Sequence, residues 1–300
     1  MAAAKESGRL RAGVLDVALE RSGRRGGPPV ILLHGFPYDA RAYDGVAELL
    51  AAEGADVVVP YLRGYGGTRF AEAATVRSGQ QAALAHDLAE LIDALGLDSP
   101  LVAGYDWGGR AACVVAALWP RRVCGLVTAN GYNVQDIAGS SAPRRPELER
   151  RLWYQYYLHG ERGAHGLATY RSDYARLLWR EWSPTWDFSD ATFAATTPSF
   201  DNPDFVDVVV HSYRHRFGLV AGDPAYQPTE DALARQPPIT VPTLVLDGAY
   251  DTVQPQRKRD EHEPHFPALV DHRVLDTGHN MPQEAPAEFA RAITDLWAAL

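Results

Sequence analysis

Three hundred residues, 46% hydrophobic and 22% charged, suffice for one large globular domain or one domain carrying an inserted subdomain. A formal net charge of −9 excludes a general nucleic-acid binder, because phosphate contacts need clustered Lys and Arg, and the runs 21–25 and 257–259 are too short to supply them. The two cysteines, Cys113 and Cys124, offer neither a disulfide framework nor metal spacing and are expected as buried free thiols.

The Ala-rich opening, Met1 to Leu10, lacks the apolar stretch of a signal peptide and is expected to be disordered. No run approaches 18 uninterrupted apolar residues, so a cytoplasmic protein with no membrane partner is the expectation. Arg11 to Glu20 alternates loosely and predicts an edge strand, followed by a Gly/Arg/Pro connection from Ser22 to Pro29. Val30-Ile31-Leu32-Leu33 is a short continuous apolar run, consistent with a strand buried on both faces, and it ends in His34-Gly35-Phe36-Pro37. Tyr43 to Glu53 has helical period, Asp56 to Pro60 is a second apolar strand, and Arg63 to Thr68 is a Gly-rich loop. Gln80 to Leu95 is a long amphipathic helix stopped by Gly96.

Leu101-Val102-Ala103-Gly104 then runs into Tyr105-Asp106-Trp107-Gly108-Gly109, a Gly-x-Asp-x-Gly turn between a strand and a helix that reaches Trp119. In the nucleophile-elbow pattern, the glycines let the backbone turn sharply and hold the middle side chain clear of the sheet. Here that side chain is a carboxylate at a helix N-terminus, where the dipole favours its ionised form. Val123 to Thr128 completes an alternation of strand and helix that predicts a mostly parallel, doubly wound sheet with helices on both faces. Residues 130–228 break this rhythm with Trp, Tyr, Arg and Pro and predict a helical insertion, leaving 1–129 and 229–300 as the core. The rhythm resumes at Val241 to Leu246, then a polar helix, a strand near Asp271 to Leu275, the Thr277-Gly278-His279-Asn280 turn and a last helix from Pro286.

Ligands of open parallel sheets bind beyond the carboxyl ends of the strands. Four such ends carry polar or Gly-rich stretches: His34 to Pro37, Asp106, Asp251 and His279. Their order of nucleophile, acid and base is that of an α/β-hydrolase triad. Asp247 and Asp251 compete for the acid; Asp251 lies further past the strand end and is preferred, while Asn130 stands at the alternative acid position. His86, His159, His165, His262, His265 and His272 are assigned to packing or surface. Pro264 breaks the spacing that a metal-binding His262/His265 pair on a helix would use.

From His34-Gly35-Phe36-Pro37 through Gly104-Tyr105-Asp106-Trp107-Gly108-Gly109 to Gly278-His279-Asn280, the chain resembles the α/β-hydrolase-fold epoxide hydrolases, relatives of the haloalkane dehalogenases. The resemblance implies an α/β-hydrolase core with a helical lid, and conversion of an epoxide to a vicinal diol through an ester on Asp106, hydrolysed by water that His279 and Asp251 activate. It also implies two lid tyrosines that hydrogen-bond the ring oxygen. The patterns Trp153-Tyr154-Gln155-Tyr156-Tyr157 and Ser212-Tyr213-Arg214 make these Tyr154 and Tyr213. Backbone N–H groups of Phe36 and Trp107 would form the oxyanion hole, with His34, Tyr105, Trp153, Trp182 and Trp186 around the pocket. His34 would support its loop rather than react, and Tyr105 stands where the family often has His. No cofactor or metal is expected. The partner expected from the aromatic lid is a small-molecule substrate, a large apolar or aromatic epoxide, and a homodimer is left open. A haloalkane dehalogenase and a non-catalytic ligand-binding protein on the same scaffold remain the alternatives. The dehalogenase would use the Trp107 N–H on the halide, but Phe36 stands where its second donor, an Asn, is often found.

Overall fold

The apolar runs become the inner strands of one sheet, and their carboxyl ends define the edge where the polar turns collect. In a computed structural model that describes residues 5–300, the chain starts with β1 (Glu6–Ala12) and β2 (Leu15–Gly23), an antiparallel hairpin. Residues 6–10, expected to be disordered, are thus the outer strand, and the segment expected at the edge is second in the sheet. The reason lies in pairing: Leu15, Val17 and Leu19 alternate inward on β2, while β1 hydrogen-bonds along it with a mostly polar, exposed sequence. Residues 1–4 lie outside the described part.

β3 (Pro29–Leu33), α1 (Asp44–Ala52), β4 (Asp56–Pro60), the two-residue β5 (Arg69–Phe70), α2 (Gln81–Leu95), β6 (Leu101–Gly104), α3 (Asp106–Leu118) and β7 (Gly125–Ala129) follow. Pairing runs β1-β2-β4-β3-β6-β7-β8-β9 with β5 on β2; it is antiparallel up to β4 and parallel beyond. The last two strands are β8 (Thr243–Gly248) and β9 (Leu269–Leu275). Every residue of β4, β6, β7 and β8 is buried, as strands covered on both faces require. Helix α2 shows the complementary pattern: Leu84, Leu88, Leu91 and Ile92 make one buried stripe, and Gly96, at φ +63°, ends it in the left-handed region.

Between β7 and β8 the chain is helical: α4 (Pro146–Glu149), α5 (Trp153–His159), α6 (Glu161–Thr169), α7 (Arg171–Trp182), α8 (Asp190–Thr196), α9 (Phe205–His215) and α10 (Gln227–Leu233). This layer is fastened over the strand ends by buried polar contacts. The Trp179 indole N–H donates to the Pro37 carbonyl at 2.8 Å, and the Thr196 and Ser199 hydroxyls donate to Asp39 at 3.0 and 2.6 Å. Burial pushes the Asp39 carboxyl up to about 6 despite those bonds. α10 returns to the core, where the Glu230 carboxylate accepts from the Gln81 side chain and the Ala82 backbone N–H at the start of α2. After β8 come α11 (Arg259–His262), the polar helix reduced to one turn, then α12 (Met281–Glu284) and α13 (Pro286–Ala298). Among the described residues no helix is long and apolar enough to cross a membrane.

Candidate active site

The turn after β6 places a carboxylate under constraint. Asp106 has φ +48°, a left-handed conformation rarely held by a residue with a side chain, and it opens α3. Two glycines make this geometry accessible. A Cβ on Gly108 would collide with the Leu33 carbonyl, and one on Gly35 would stand 2.6 Å from Asp106 Cβ. The Phe36 backbone N–H donates to Asp106 Oδ1 at 2.8 Å, so the loop after β3 and the elbow after β6 are joined through the carboxylate itself.

His279 and Asp251 complete a line of three side chains. His279 Nε2 lies 3.8 Å from Asp106 Oδ2, and its Nδ1 donates to Asp251 Oδ2 at 2.7 Å. The Asp251 carboxylate is held by three further donors: Asn130 Nδ2 at 2.8 Å on Oδ2, and the Val253 and Gln254 backbone N–H groups on Oδ1. Burial opposes a charged imidazole here, but the Asp251 and Asp106 carboxylates on either side overcome it and raise His279 to about 10. Burial likewise opposes the Asp106 charge, and contact with His279 overcomes it, so this carboxyl is held below its ordinary value. The resting pair is therefore carboxylate and imidazolium.

This pairing sets a pH dependence of stability. The folded His279 value lies above the ordinary 6.5, so its stabilisation is fully present below pH 6.5 and is lost as pH rises toward about 10. Thermal unfolding across that window is expected to show a steeper loss in the parent than in Asp251→Asn, which removes one flanking charge. Parallel profiles would contradict a charged His279.

Two phenols of the helical segment pack near this line. Tyr154 on α5 and Tyr213 on α9 are 2% and 1% exposed, with ring centroids 5.5 Å apart. Tyr213 also packs against Phe36 (5.3 Å) and Trp107 (6.0 Å), while Tyr154 packs on Trp182 (4.8 Å), which in turn packs on the His279 ring (5.1 Å). Gln155 Nε2 donates to the Tyr154 hydroxyl oxygen at 2.8 Å, so the Tyr154 O–H proton is free to point elsewhere. Burial raises Tyr154 to about 12 and Tyr213 well above the ordinary phenol range, keeping both as neutral donors.

The other expected residues divide. His34 is committed to its loop: the Leu62 N–H donates to Nε2 at 3.1 Å, Nδ1 donates to the Gly35 carbonyl at 3.0 Å, and burial lowers the ring to about 4. Trp182 walls the site, whereas Trp153 bonds Glu181 at the surface and packs on Tyr174, and Trp186 stacks on Trp179. Tyr105 lies among Tyr38, Tyr43 and His279. The buried Trp107 indole N–H has no partner among the described residues.

Asp247 is drawn away from His279. Its Oδ2 accepts from the Arg257 backbone N–H at 3.0 Å and lies 3.1 Å from both His262 Nε2 and His272 Nε2. These two histidines, assigned from sequence to packing, thus settle which aspartate is left for His279. The three side chains also offer donor atoms within 4.8 Å of one another, a spacing that a divalent cation can span. His265 instead stacks on Tyr132 at 4.3 Å. Several polar neighbours escaped the sequence reading: Asn130 as a partner of Asp251, Gln155 on Tyr154, and Ser183, whose hydroxyl accepts from the His279 backbone N–H and donates to Glu284.

Comparison with known proteins agrees with this architecture. Residues 28–286 match the family described as alpha/beta hydrolase fold, and the chain belongs to it. Epoxide hydrolase B of Mycobacterium tuberculosis is 26% identical over 91% of this chain and 92% of its own. A crystal structure of a candidate epoxide hydrolase from Klebsiella pneumoniae superposes with a TM-score of 0.94 at 44% identity, covering 97% of both chains. A mutant of epoxide hydrolase from Solanum tuberosum shares the fold, with a TM-score of 0.79 at 20% identity over 99% of this chain and all of its own.

Proposed function

We propose that this chain is an epoxide hydrolase working through an ester on Asp106, with the helical segment 130–228 as the lid over the site. The observation that carries this reading is the line Asp106–His279–Asp251 lying beneath two buried phenols, one of which already accepts a hydrogen bond and has its proton to give.

Asp106 attacks an epoxide carbon, the C–O bond breaks, and Tyr154 or Tyr213 gives its proton to the ring oxygen. Esterification removes the negative charge next to His279. With only Asp251 left beside it, the imidazolium loses part of what raised its pKa, and its proton is the one that restores the phenol. Neutral His279 is then the base that the second step needs. It takes a proton from water as the oxygen of that water attacks the Asp106 carbonyl carbon. The backbone N–H groups of Phe36 and Trp107 meet the oxyanion. Collapse releases the diol and regenerates carboxylate and imidazolium, so atoms and protons balance over the cycle.

The lid phenols favour this reading over halide displacement, since an alkoxide needs a proton to leave well and a halide does not. The Trp107 indole N–H would be one halide donor, but the Phe36 side chain supplies none. The parent chain is expected to form diol from aryl or alkyl epoxides and to release no halide from matching haloalkanes. Halide release without diol formation would replace the reading with a dehalogenase.

A further inference from the structure

One turn beyond Asp106 on α3, and on the same face, stands Arg110, only 5% exposed. A buried guanidinium is ordinarily paired with an acid, because an unpaired charge away from water is costly. Arg110 is not: its Nε and Nη1 have no hydrogen-bond partner among the described residues. Its third nitrogen, Nη2, lies 3.2 Å from the Gln135 carbonyl oxygen when that amide faces the cation. The same oxygen also accepts from Arg216 at 2.8 and 3.0 Å. Arg216 Nη1 donates to Gln155 Oε1 at 3.2 Å, and its guanidinium lies 4.6 Å from the centre of the Tyr213 ring. Two cations are thus held side by side by neutral amides, which orient them without neutralising them. Burial and the nearby Arg216 lower Arg110 to about 10, which leaves it charged at neutral pH.

These groups adjoin the site already described. Gln155, which holds Arg216, is the residue that bonds the Tyr154 hydroxyl, and the Asp106, Tyr154 and Tyr213 side chains all act electrostatically on Arg110. Arg110 and Arg216 thus stand as adjacent cations with no acid among their hydrogen-bond partners in the described residues.

We infer that Arg110 and Arg216 form an anion subsite of this pocket and that the substrate is an epoxide bearing a carboxylate. The inference rests on the epoxide-opening reading and narrows it: the aromatic walls take the apolar body, and the guanidiniums take the acid end. An anion would supply the acid partner that these two cations lack, and a planar carboxylate matches the donor geometry of arginine.

Steady-state kinetics of the full chain on phenylglycidate, its methyl ester and styrene oxide test this. The acid is expected to exceed the ester in kcat/KM by roughly 30-fold or more, the scale of a buried charge pair. That ratio should collapse in Arg110→Met and be partly kept in Arg110→Lys. Since each ratio is taken within one variant, a change in the amount of folded protein cancels. Phenylacetate should compete with the acid in the parent and fail to in Arg110→Met, whereas inorganic phosphate and sulfate should not compete. Equal turnover of acid and ester overturns the subsite, as does an Arg110→Met variant that slows both alike, and competition by phosphate rather than phenylacetate overturns the carboxylate assignment. If the parent opens none of the three epoxides, the epoxide reading itself has failed. The subsite then stands or falls on whether phenylacetate raises the Tm of the parent but not that of Arg110→Met.

Discussion

Asp106→Ala is expected to lose diol formation by about 10⁴-fold or more, the scale seen when one member of a covalent catalytic unit is removed. His279→Gln is expected to lose steady-state turnover by a similar factor for a different reason. With Asp106 intact the ring still opens, and the variant halts at the ester because no base remains to activate water. Rapid mixing with excess enzyme separates the two: His279→Gln should consume epoxide in a single-turnover burst, and Asp106→Ala none. The difference follows from geometry, since Asp106 holds its ionised form partly through the Phe36 N–H, which survives loss of His279. Near-parental turnover in either variant would reject the roles assigned to both.

The second large effect concerns the lid. Removing one hydrogen-bond donor to a developing oxyanion costs about 10²- to 10³-fold in kcat. Tyr154→Phe and Tyr213→Phe are each expected to fall in that range, and the double variant to lose about 10⁴-fold or more. The loss should fall on ring opening, with hydrolysis of a preformed ester unaffected. The rings lie 5.5 Å apart, so the two sites couple, and the double loss need not equal the product of the singles. A double variant that opens epoxides at the parental rate would remove the lid from the mechanism.

What the sequence discloses and what it withholds follow from how local each signal is. Gly104 to Gly109 announces itself because the two glycines and the carboxylate act within a single turn, and the positive φ of Asp106 is what that spacing demands. His279 and Asp251 are legible through their positions at strand ends, which a parallel sheet brings to one edge. The choice between Asp251 and Asp247 needs more than position. It is explained by His262 and His272, which meet on Asp247 because α11 and β9 lie beside the end of β8.

The remaining site features depend on tertiary packing. Arg110 stands in plain view after the elbow motif, but nothing local says that its partner among the described residues is the Gln135 amide rather than an acid. Asn130 is visible in the sequence only as an occupant of the alternative acid position, whereas its amide donates to the acid itself. At the other end of the chain, the polar β1 reads as disorder because an outer strand needs few apolar side chains when its backbone bonds to β2 along its whole length.

The central claim, that the Asp106 carboxylate becomes covalently attached to an epoxide carbon, is tested most directly by intact-protein mass spectrometry of His279→Gln after exposure to an epoxide. The account predicts a mass increase equal to the whole epoxide, located on Asp106 and absent from Asp106→Ala. An unchanged protein mass with an epoxide that the parent converts to diol would contradict it and point to direct attack by water.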